Sequence, residues 1–449
     1  MGAISLGRAR NLTRYIKDPL AFVGGRFARH GDSYLARTGS EMLYAFRHPR
    51  EIKAVLVDEA DAFIKSEFGL EKVLGQGLLT SEGPLWKSRR RTIQPAFTRA
   101  RIAGYAKAMA EEAETRVATW PREARFDAAA EMTAITLSVV ARTLFSHTIT
   151  DEADEVGRAM TAFQNAVGVF DLLPAWLPTP KHRRTRAALD HFDAMIFGLV
   201  DARTRERAER QESTATSEVQ PADDLLTALL DAVDPEGDAR LDRQALRDEL
   251  LTLFLAGHET TANALSWAWS YLARHPEVQV RLAAELSAAI DPQRPLGADD
   301  LERLPYLRAV CEETMRLRPP AYVLARTATR EVQVGDWRLP EGARVVIWSY
   351  MTHHDEKWWP EPERFDPERF MHPDPARPKF AYLPFGGGAR MCIGKHFALM
   401  EMQLILGTLV RRFELKLHDD AEVRPKPRIT LTPSGGIPAL ALRRENPMP

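Results

Sequence analysis

The feature that most constrains the fold is one continuous helical pattern across Arg243–Arg274. At about 1.5 Å per residue, a helix of this length crosses a whole domain, so the other elements must pack around it. Its first half is apolar, but residues 256–261 read Ala-Gly-His-Glu-Thr-Thr. Burying an acid and hydroxyls at a domain centre is costly unless they are paired. The helix is therefore predicted to carry either a functional site or a polar bend at its middle.

The remaining periodicity predicts a mainly α protein with small peripheral β-sheets, folded as one large domain over residues 1–449. Apolar residues make up 45% of the chain, which is enough for a large core. Helix spacing recurs at 127–145, 189–207 and 277–290. Short strand-like stretches lie towards the two ends, at 33–35, 42–46, 331–334, 344–347 and 429–432.

Charge and cysteine content restrict the partners and the compartment. A formal net charge of −1 argues against nucleic acid as a partner. Two cysteines cannot build a disulfide framework, and the first residues lack the apolar core of a signal peptide. No stretch approaches the roughly 20 uncharged apolar residues of a membrane span. These features predict a cytoplasmic protein without a membrane span, and we expect a monomer.

The polar run in the long helix places its groups on distinct faces. Ala256, Glu259 and Thr260 share one face, whereas His258 points nearly opposite. Ala256 and Gly257 remove side-chain bulk, so a planar cofactor could lie against this backbone. Thr260 could then hold a water or a bound oxygen, and Glu259 could deliver protons.

The second chemical signal is Cys392, in the loop 385–394, Phe-Gly-Gly-Gly-Ala-Arg-Met-Cys-Ile-Gly, just before another helical pattern. A helix N-terminus favours an anionic sulfur, and the glycines allow a flat ligand to approach closely. Arg390 could pair with a carboxylate. The loop is not a phosphate-binding loop, because it lacks the first glycine and the hydroxyl residue of that motif. The alternative is a small buried apolar role, which is also the role predicted for Cys311.

Two weaker signals involve arginines. Glu313 and Arg316 lie three residues apart on a helical pattern, and Arg369 precedes the cysteine loop. A buried glutamate held by two arginines could fix the geometry of that loop. Trp86 and Arg90 lie four apart and could face one anionic, aromatic ligand. The alternatives are an ordinary surface ion pair and an ordinary basic helix face.

These four signals, in this order, resemble the cytochrome P450 family over essentially the whole chain, and the motifs are highly specific. The loop at 385–394 fits the family's haem-binding loop, and the run at 256–261 fits its oxygen-activation helix. The remaining matches are a structural triad and a haem-propionate helix, formed by Glu313, Arg316 and Arg369 and by Trp86 and Arg90.

The resemblance implies the P450 fold, a haem crossed by the long central helix, and a haem-thiolate monooxygenase. Cys392 would ligate the iron of haem b as a thiolate. Thr260 and Glu259 would relay protons while O2, the cosubstrate, is activated and one oxygen atom enters a C–H or C=C bond. The other residues implied to contact the haem are Trp86, Arg90, Ala256, Arg326, Phe385, Gly386, Arg390 and Gly394.

Electrons ultimately from NAD(P)H would arrive through a separate ferredoxin or flavodoxin-type partner, because 449 residues leave no room for a fused reductase. Basic residues flank the loops expected on the cysteine side of the haem and would attract an acidic partner. These are Lys87, Arg89, Arg91, Lys395 and His396.

Substrate identity is less constrained than the chemistry. The positions expected around a substrate are mostly apolar and favour a sizeable fatty acid, terpenoid, carotenoid-like molecule or macrolide. They are Phe68, Leu74, Phe254, Tyr322, Val323 and Leu324. Lys65 or Tyr322 could fix a carboxylate, which would favour fatty acids. The apolar, proline-interrupted stretch 171–180 could be a lid over the cavity or a loop packed on the body.

Three other functions are compatible with parts of this pattern. A peroxide-driven or rearranging haem-thiolate enzyme would turn over without an electron donor. A haem-binding sensor or carrier would lack the pair Glu259 and Thr260, which is present here. A cysteine hydrolase needs a base beside Cys392, and His396, four residues along a helix, is poorly placed for it.

Overall fold

The computed structural model describes residues 4–5, 9–38, 41–66, 70–146, 179–212, 224–234, 236, 240–291, 294–418 and 422–444. Its α-helices, in chain order, are α1 (Ala9–Lys17), α2 (Pro19–His30), α3 (Pro49–Lys53), α4 (Glu71–Leu74), α5 (Gly83–Ile93), α6 (Arg99–Ala118), α7 (Ala128–Phe145), α8 (Pro180–Glu212), α9 (Leu225–Asp231), α10 (Arg243–Arg274), α11 (Pro276–Ala289), α12 (Pro305–Leu317), α13 (Ser349–His353), α14 (Glu368–Met371) and α15 (Lys395–Arg412).

The β-strands are short. They are β1 (Ile4–Ser5), β2 (Ser33–Thr38), β3 (Glu41–Phe46), β4 (Phe63–Lys65), β5 (Glu123–Asp127), β6 (Leu324–Ala328), β7 (Val332–Val334), β8 (Trp337–Leu339), β9 (Arg344–Ile347), β10 (Phe413–Leu417), β11 (Pro425–Pro427), β12 (Leu431–Pro433) and β13 (Pro438–Arg443). They form a six-stranded sheet in the order β1-β2-β3-β9-β6-β4, a three-stranded sheet β10-β13-β5, and the pairs β11-β12 and β7-β8.

Helix α10 has the bounds that its sequence pattern predicts, and it is the centre of the fold. Asp242 caps its start, because one carboxylate oxygen accepts the Ala245 N–H at 2.7 Å. The helix packs against α7, α8, α12, α15 and β10. Because neighbours surround it on every side, its polar run at 256–261 lies deep inside the protein, as the sequence predicts.

Two apolar clusters meet along α10. One includes Leu265 and Trp269 of the second half of the helix, and it also contains Cys311, which is buried as predicted. The other includes Leu250 and Phe254 of the first half. Where α10 passes from one cluster to the other, a cavity of about 460 Å³ opens beside residues 256–261.

Helix α7 has the length and hydropathy to cross a membrane, although no such stretch is predicted from the sequence. It is the single helix of this kind in the parts of the chain that the structure describes. However, 61% of Ala128–Phe145 is buried inside the protein, against α10, α6 and α9. This burial is typical of a core helix, so the feature is weak evidence for a membrane span.

Several strands were not predicted. Strand β6 pairs with β9 and β4, and β13 pairs with β10 and β5. In each case one of the two partners, β4 or β5, lies far away in the sequence. Such short strands are stabilised by cross-strand contacts more than by their own residue preferences. Strand β6 matters most here, because it brings Arg326 to the cavity.

Candidate active site

The cysteine loop is held in one shape by its own backbone. The Cys392 N–H donates to the Phe385 carbonyl at 3.0 Å, and the Gly386 N–H donates to the Leu383 carbonyl at 3.0 Å. Gly386 and Gly388 both have φ of +69°, a region that side chains disfavour. A Cβ atom on Gly388 would also collide with the Leu56 carbonyl. These glycines are therefore required by the turn itself.

The turn presents the thiol of Cys392 to the cavity, where its surface is accessible although protein atoms surround the site. Burial raises the pKa of this thiol, while the Gly394 N–H, Arg90 and Lys395 act to lower it. Helix α15 begins at Lys395, so its N-terminus lies beside the sulfur. A metal cation at this position would complete the set of influences that favour the thiolate, since coordination deprotonates a thiol.

The wall formed by α10 carries the acid and the alcohol. Ala256, Gly257, Glu259 and Thr260 all line the cavity. The Thr260 hydroxyl donates to the Ala256 carbonyl one turn earlier, at 2.7 Å. Ala256 and Gly257 leave this stretch of the wall without bulky side chains. His258 points away, as the helical period predicts, and burial lowers its pKa to about 4.

Glu259 is held from outside its own helix. Its carboxylate accepts a hydrogen bond from the Thr430 hydroxyl at 2.6 Å. The Asn263 side-chain amide donates to the same hydroxyl oxygen at 3.1 Å. Thr430 belongs to no motif, and its distance of 171 residues from Glu259 gives the sequence no signal of this contact.

Four cations line the cavity and lie close to one another. Arg390 stacks over the Trp86 ring at 4.2 Å and pairs with Glu82. Arg90 and Arg326 donate to the carbonyls of Met391 and Ala325, and Lys65 donates to that of Leu79. Burial and the neighbouring arginines lower the pKa of Lys65 to about 7, and burial lowers that of Arg326 to about 10. This half-buried surplus of positive charge would be relieved by an anionic group in the cavity.

The residues present therefore fit a haem. A single thiol lines the cavity as a soft axial donor, small residues of α10 leave room for a flat ring, and four half-buried cations suit two carboxylates. The residues predicted to contact a haem all line this cavity: Trp86, Arg90, Ala256, Arg326, Phe385, Gly386, Arg390, Cys392 and Gly394.

The structure also brings together the three predicted triad residues. Arg316 holds the Glu313 carboxylate through two hydrogen bonds of 2.6 and 2.8 Å, and both residues are fully buried. Arg369 approaches the same carboxylate at 3.5 Å. Arg316 also donates to backbone carbonyls at 353, 362 and 364, while the Asp366 N–H donates to Glu313. This network fixes the chain that leads into the cysteine loop.

The predicted substrate positions divide into three groups. Leu74, Val323 and Leu324 line the cavity. Phe254 does not, because it is packed between the rings of Phe145 and Phe192 on the opposite face of α10. Tyr322 also lies elsewhere, against Trp348, with its hydroxyl donating to the Arg428 carbonyl at 2.8 Å.

Phe68 and residues 171–178 of the predicted lid lie outside the described residues. Other residues line the cavity although the sequence did not single them out for this role. They are Val140, Thr143 and Leu144 of α7, Leu78 and Phe97 on either side of α5, and Ile429 just before β12.

The predicted basic surface is smaller than the sequence suggests. Arg89 is turned inward, towards Glu249 at 3.8 Å. Arg91 is paired with Asp234 at 3.0 Å and with Glu236 at 3.1 Å. Three members of the predicted group remain to form a basic surface, because the described residues give them no ion pair of this kind. They are Lys87, Lys395 and His396. Arg99 lies close enough to His396 to help lower its pKa, so it adds a further positive charge to this side.

Comparison with known proteins gives concordant findings. Residues 14–438 match the family model described as Cytochrome P450. The chain is 35% identical over 428 residues to cyclooctatin synthase of Streptomyces melanosporofaciens, covering 93% of this chain and 90% of that protein. It is 34% identical to cyclooctat-9-en-7-ol 5-monooxygenase of the same organism, covering 92% and 87%. It is 32% identical to pentalenene oxygenase of Streptomyces avermitilis, covering 91% and 90%.

Proposed function

Because this chain belongs to the cytochrome P450 family, which includes relatives named as a monooxygenase and an oxygenase, we propose that it inserts one oxygen atom of O2 into a C–H or C=C bond of an apolar, terpenoid-like molecule. One observation carries the proposal. The thiol of Cys392 and the pair Glu259 and Thr260 line the same cavity, whose remaining walls are mainly apolar.

Each part of the cavity has its own task in this proposal. Cys392 holds the haem iron, and Arg90, Arg326 and Arg390 hold the propionates. The bound haem supplies the iron at which O2 is activated. The apolar walls exclude water from the substrate side. Lys65 lies among the arginines, so we assign it to the propionates rather than to a substrate carboxylate.

Proton delivery falls to the side chains of α10. Thr260 can release its bond to the Ala256 carbonyl and donate towards the cavity, because a threonine hydroxyl rotates freely between partners. Glu259 can replace that proton from the carboxyl group that Thr430 orients. The pair thus positions one proton donor inside the cavity and a second one behind it.

The substrate class rests on the wall and on the relatives. Among the described residues that line the cavity, the charged side chains are the four clustered cations and Glu259. With those cations assigned to the haem, no charged partner among the described lining residues is left for a fatty-acid carboxylate. Two relatives are named as oxygenases of pentalenene and of cyclooctat-9-en-7-ol, a hydrocarbon and an alkenol. A terpenoid hydrocarbon or alcohol is therefore the proposed class.

The electron donor is proposed to be a separate ferredoxin or flavodoxin-type protein, supplied ultimately by NAD(P)H. It would dock against Lys87, Arg99, Lys395 and His396, on the side of the cysteine loop. We propose the cytoplasm as the compartment, because both cysteines are free thiols and Cys392 must stay reduced to bind iron.

The first test is the carbon-monoxide difference spectrum of the reduced, purified protein. A strongly red-shifted Soret band is expected for the wild type and for Cys311→Ala, and its loss for Cys392→Ala. Cys311 is the matched control because it is the other free thiol and is buried away from the cavity. An ordinary band in all three proteins, or no haem, would overturn the ligand assignment.

Substrate class is tested next by the spin-state shift of the ferric haem. Polycyclic alkenes and alkenols should produce the shift, and fatty acids of similar size should not. A spin-state shift with fatty acids but not with the alkenes or alkenols would indicate that Lys65 binds a substrate carboxylate. Turnover that needs no electron donor would instead identify a peroxide-driven or rearranging enzyme.

A further inference from the structure

Residues 70–82 form one side of the cavity with very little regular structure of their own. Leu70, Leu74, Leu78 and Leu79 of this segment, here called the cover loop, line the cavity. Its helical part is α4, which has only four residues. A helix this short is not stable by itself. The position of the cover loop must therefore depend on contacts with the rest of the protein.

Two adjacent carboxylates on α10 supply those contacts. Asp248 accepts the Gln76 N–H at 2.8 Å, and Glu249 accepts the Leu78 N–H at 2.9 Å. Backbone N–H groups that donate to a carboxylate form charge-assisted hydrogen bonds, which are roughly twice as strong as neutral ones. The two acids thus bind the loop backbone directly at the point where it meets the cavity.

Two glycines allow this close approach. Gly75 has φ of +67°, and a Cβ atom there would collide with the Asp248 carboxylate. A Cβ atom on Gly77 would lie 2.6 Å from the Thr252 hydroxyl and 2.8 Å from the Asp248 carbonyl. Any side chain at these positions would push the cover loop away from α10.

The two acids differ in how their charge is balanced. Asp248 accepts from Arg247 at 3.1 Å and from Gln244 at 2.9 Å. Arg247 also donates to the Val73 carbonyl, which adds a further link to the cover loop. Asp248 therefore has an arginine in direct contact.

Glu249 has no such direct partner. It is fully buried, and Arg89 of α5 stands 3.8 Å away, which is too far for a hydrogen bond. Burial raises the pKa of Glu249 to about 7, with the Leu78 N–H and Arg89 opposing the rise and Asp248 adding to it. Both protonation states of Glu249 are therefore accessible near neutral pH.

We propose that Asp248 and Glu249 are a latch that holds the cover loop over the cavity, and that ionisation of Glu249 loosens it. Burial under the closed loop disfavours the anionic carboxylate more than the Leu78 N–H and Arg89 favour it, so the closed loop keeps a proton that a solvated Glu249 would release. Alkaline conditions would then open the cavity to apolar molecules, and acidic conditions would close it. The identity of those molecules rests on the proposed function, but the latch itself does not.

A second titrating group acts at the other end of the cover loop with the opposite sign. Lys65 donates to the Leu79 carbonyl, and Arg390 donates to that of Ser81. Because burial and the neighbouring arginines lower the pKa of Lys65 to about 7, the closed loop disfavours its charged form, and acidic conditions loosen this end. The test must therefore read the amides of Gln76 and Leu78 separately from those near residues 79–82.

The experiment is hydrogen exchange with residue-level resolution on the haem-containing protein at pH 6 and pH 8, expressed as protection factors. Protection of the Leu78 amide should rise at least fivefold from pH 8 to pH 6 in the wild type. Glu249→Gln, which cannot ionise, should show the higher value at both pH values. Glu285→Gln is the matched control, since Glu285 also accepts hydrogen bonds from backbone N–H groups, those of Tyr306 and Leu307, far from the cover loop.

A second variant keeps the test decisive if Glu249→Gln folds poorly. Gly77→Ala should lower the protection of the same amides at both pH values without changing residues 305–317. Equal protection of Leu78 at pH 6 and pH 8, or a Glu249→Gln variant that still titrates, would overturn the latch. The carbon-monoxide spectrum of the same samples separates the two proposals, because a titrating loop without a thiolate band would retain the latch and reject the oxygenase.

Discussion

The Glu259 carboxylate is held by the Thr430 hydroxyl at 2.6 Å, so the acid of the cavity wall is oriented by a residue far away in the sequence. Removing the hydroxyl with Thr430→Val should let the carboxylate reorient and so reduce product formed per NAD(P)H consumed by about tenfold, the lower range for loss of an orienting contact. Thr430→Ser, which keeps the hydroxyl, should stay close to the wild type. An equal ratio of product formed to NAD(P)H consumed in the two variants would show that Thr430 does not orient Glu259.

The cations that line the cavity make a prediction about haem retention. Arg326→Leu should speed transfer of haem to apomyoglobin by about tenfold or more, the loss expected for one hydrogen bond to a charged group. Arg330→Leu is the control, because Arg330 follows the same strand but is half exposed and pairs with Asp61 at 3.2 Å. Identical transfer rates in the two variants would remove Arg326 from the propionate site.

The triad makes a prediction about stability. Arg316→Ala leaves Glu313 buried without its two strongest hydrogen bonds and should lower the free energy of unfolding by about 3–5 kcal/mol. Arg308→Ala on the same helix removes an exposed pair with Glu312 at 3.4 Å and should cost less than about 1 kcal/mol. Urea unfolding of both variants measures the difference, and a similar loss in each would contradict a special role for the buried pair.

The sequence was most informative where chemistry and helical spacing act locally. The bounds of α10, the turn around Cys392 and the spacing of Glu313 and Arg316 are all local patterns, and the structure has them. Phe254 was assigned to the cavity although it lies four residues before His258 and so shares the face that points away. The spacing alone was enough to exclude it.

The remaining features depend on contacts that no local pattern encodes. Thr430 meets Glu259, and Glu249 meets Leu78, only after distant segments have packed together. The inward turn of Arg89 is of the same kind, because its direction is set by a carboxylate on another helix. A cluster of charged residues in the sequence therefore predicts too large a surface patch wherever a buried carboxylate is close enough to pair with one of them.

A last prediction concerns Glu401 of α15, which is fully buried beside Thr261. Burial raises the pKa of its carboxyl to about 8, against an ordinary value of 4.5, while the Thr261 hydroxyl opposes the rise. Between these two pKa values the folded protein keeps a proton that the unfolded chain has released. The free energy of unfolding must therefore fall as pH rises from about 4.5 to about 8, and it must level off above that.

Glu401→Gln removes this dependence because the amide cannot ionise. The variant should match the wild type near pH 5 and become more stable than it by a few kcal/mol at pH 8.5, since each unit of pKa shift corresponds to about 1.4 kcal/mol. Urea unfolding at pH 5, 7 and 8.5 gives the difference between the two proteins, in which contributions from other titrating groups such as Glu249 cancel. A stability difference that stays constant with pH would mean that Glu401 is already ionised in the folded protein at neutral pH, paired with a cation or reached by water.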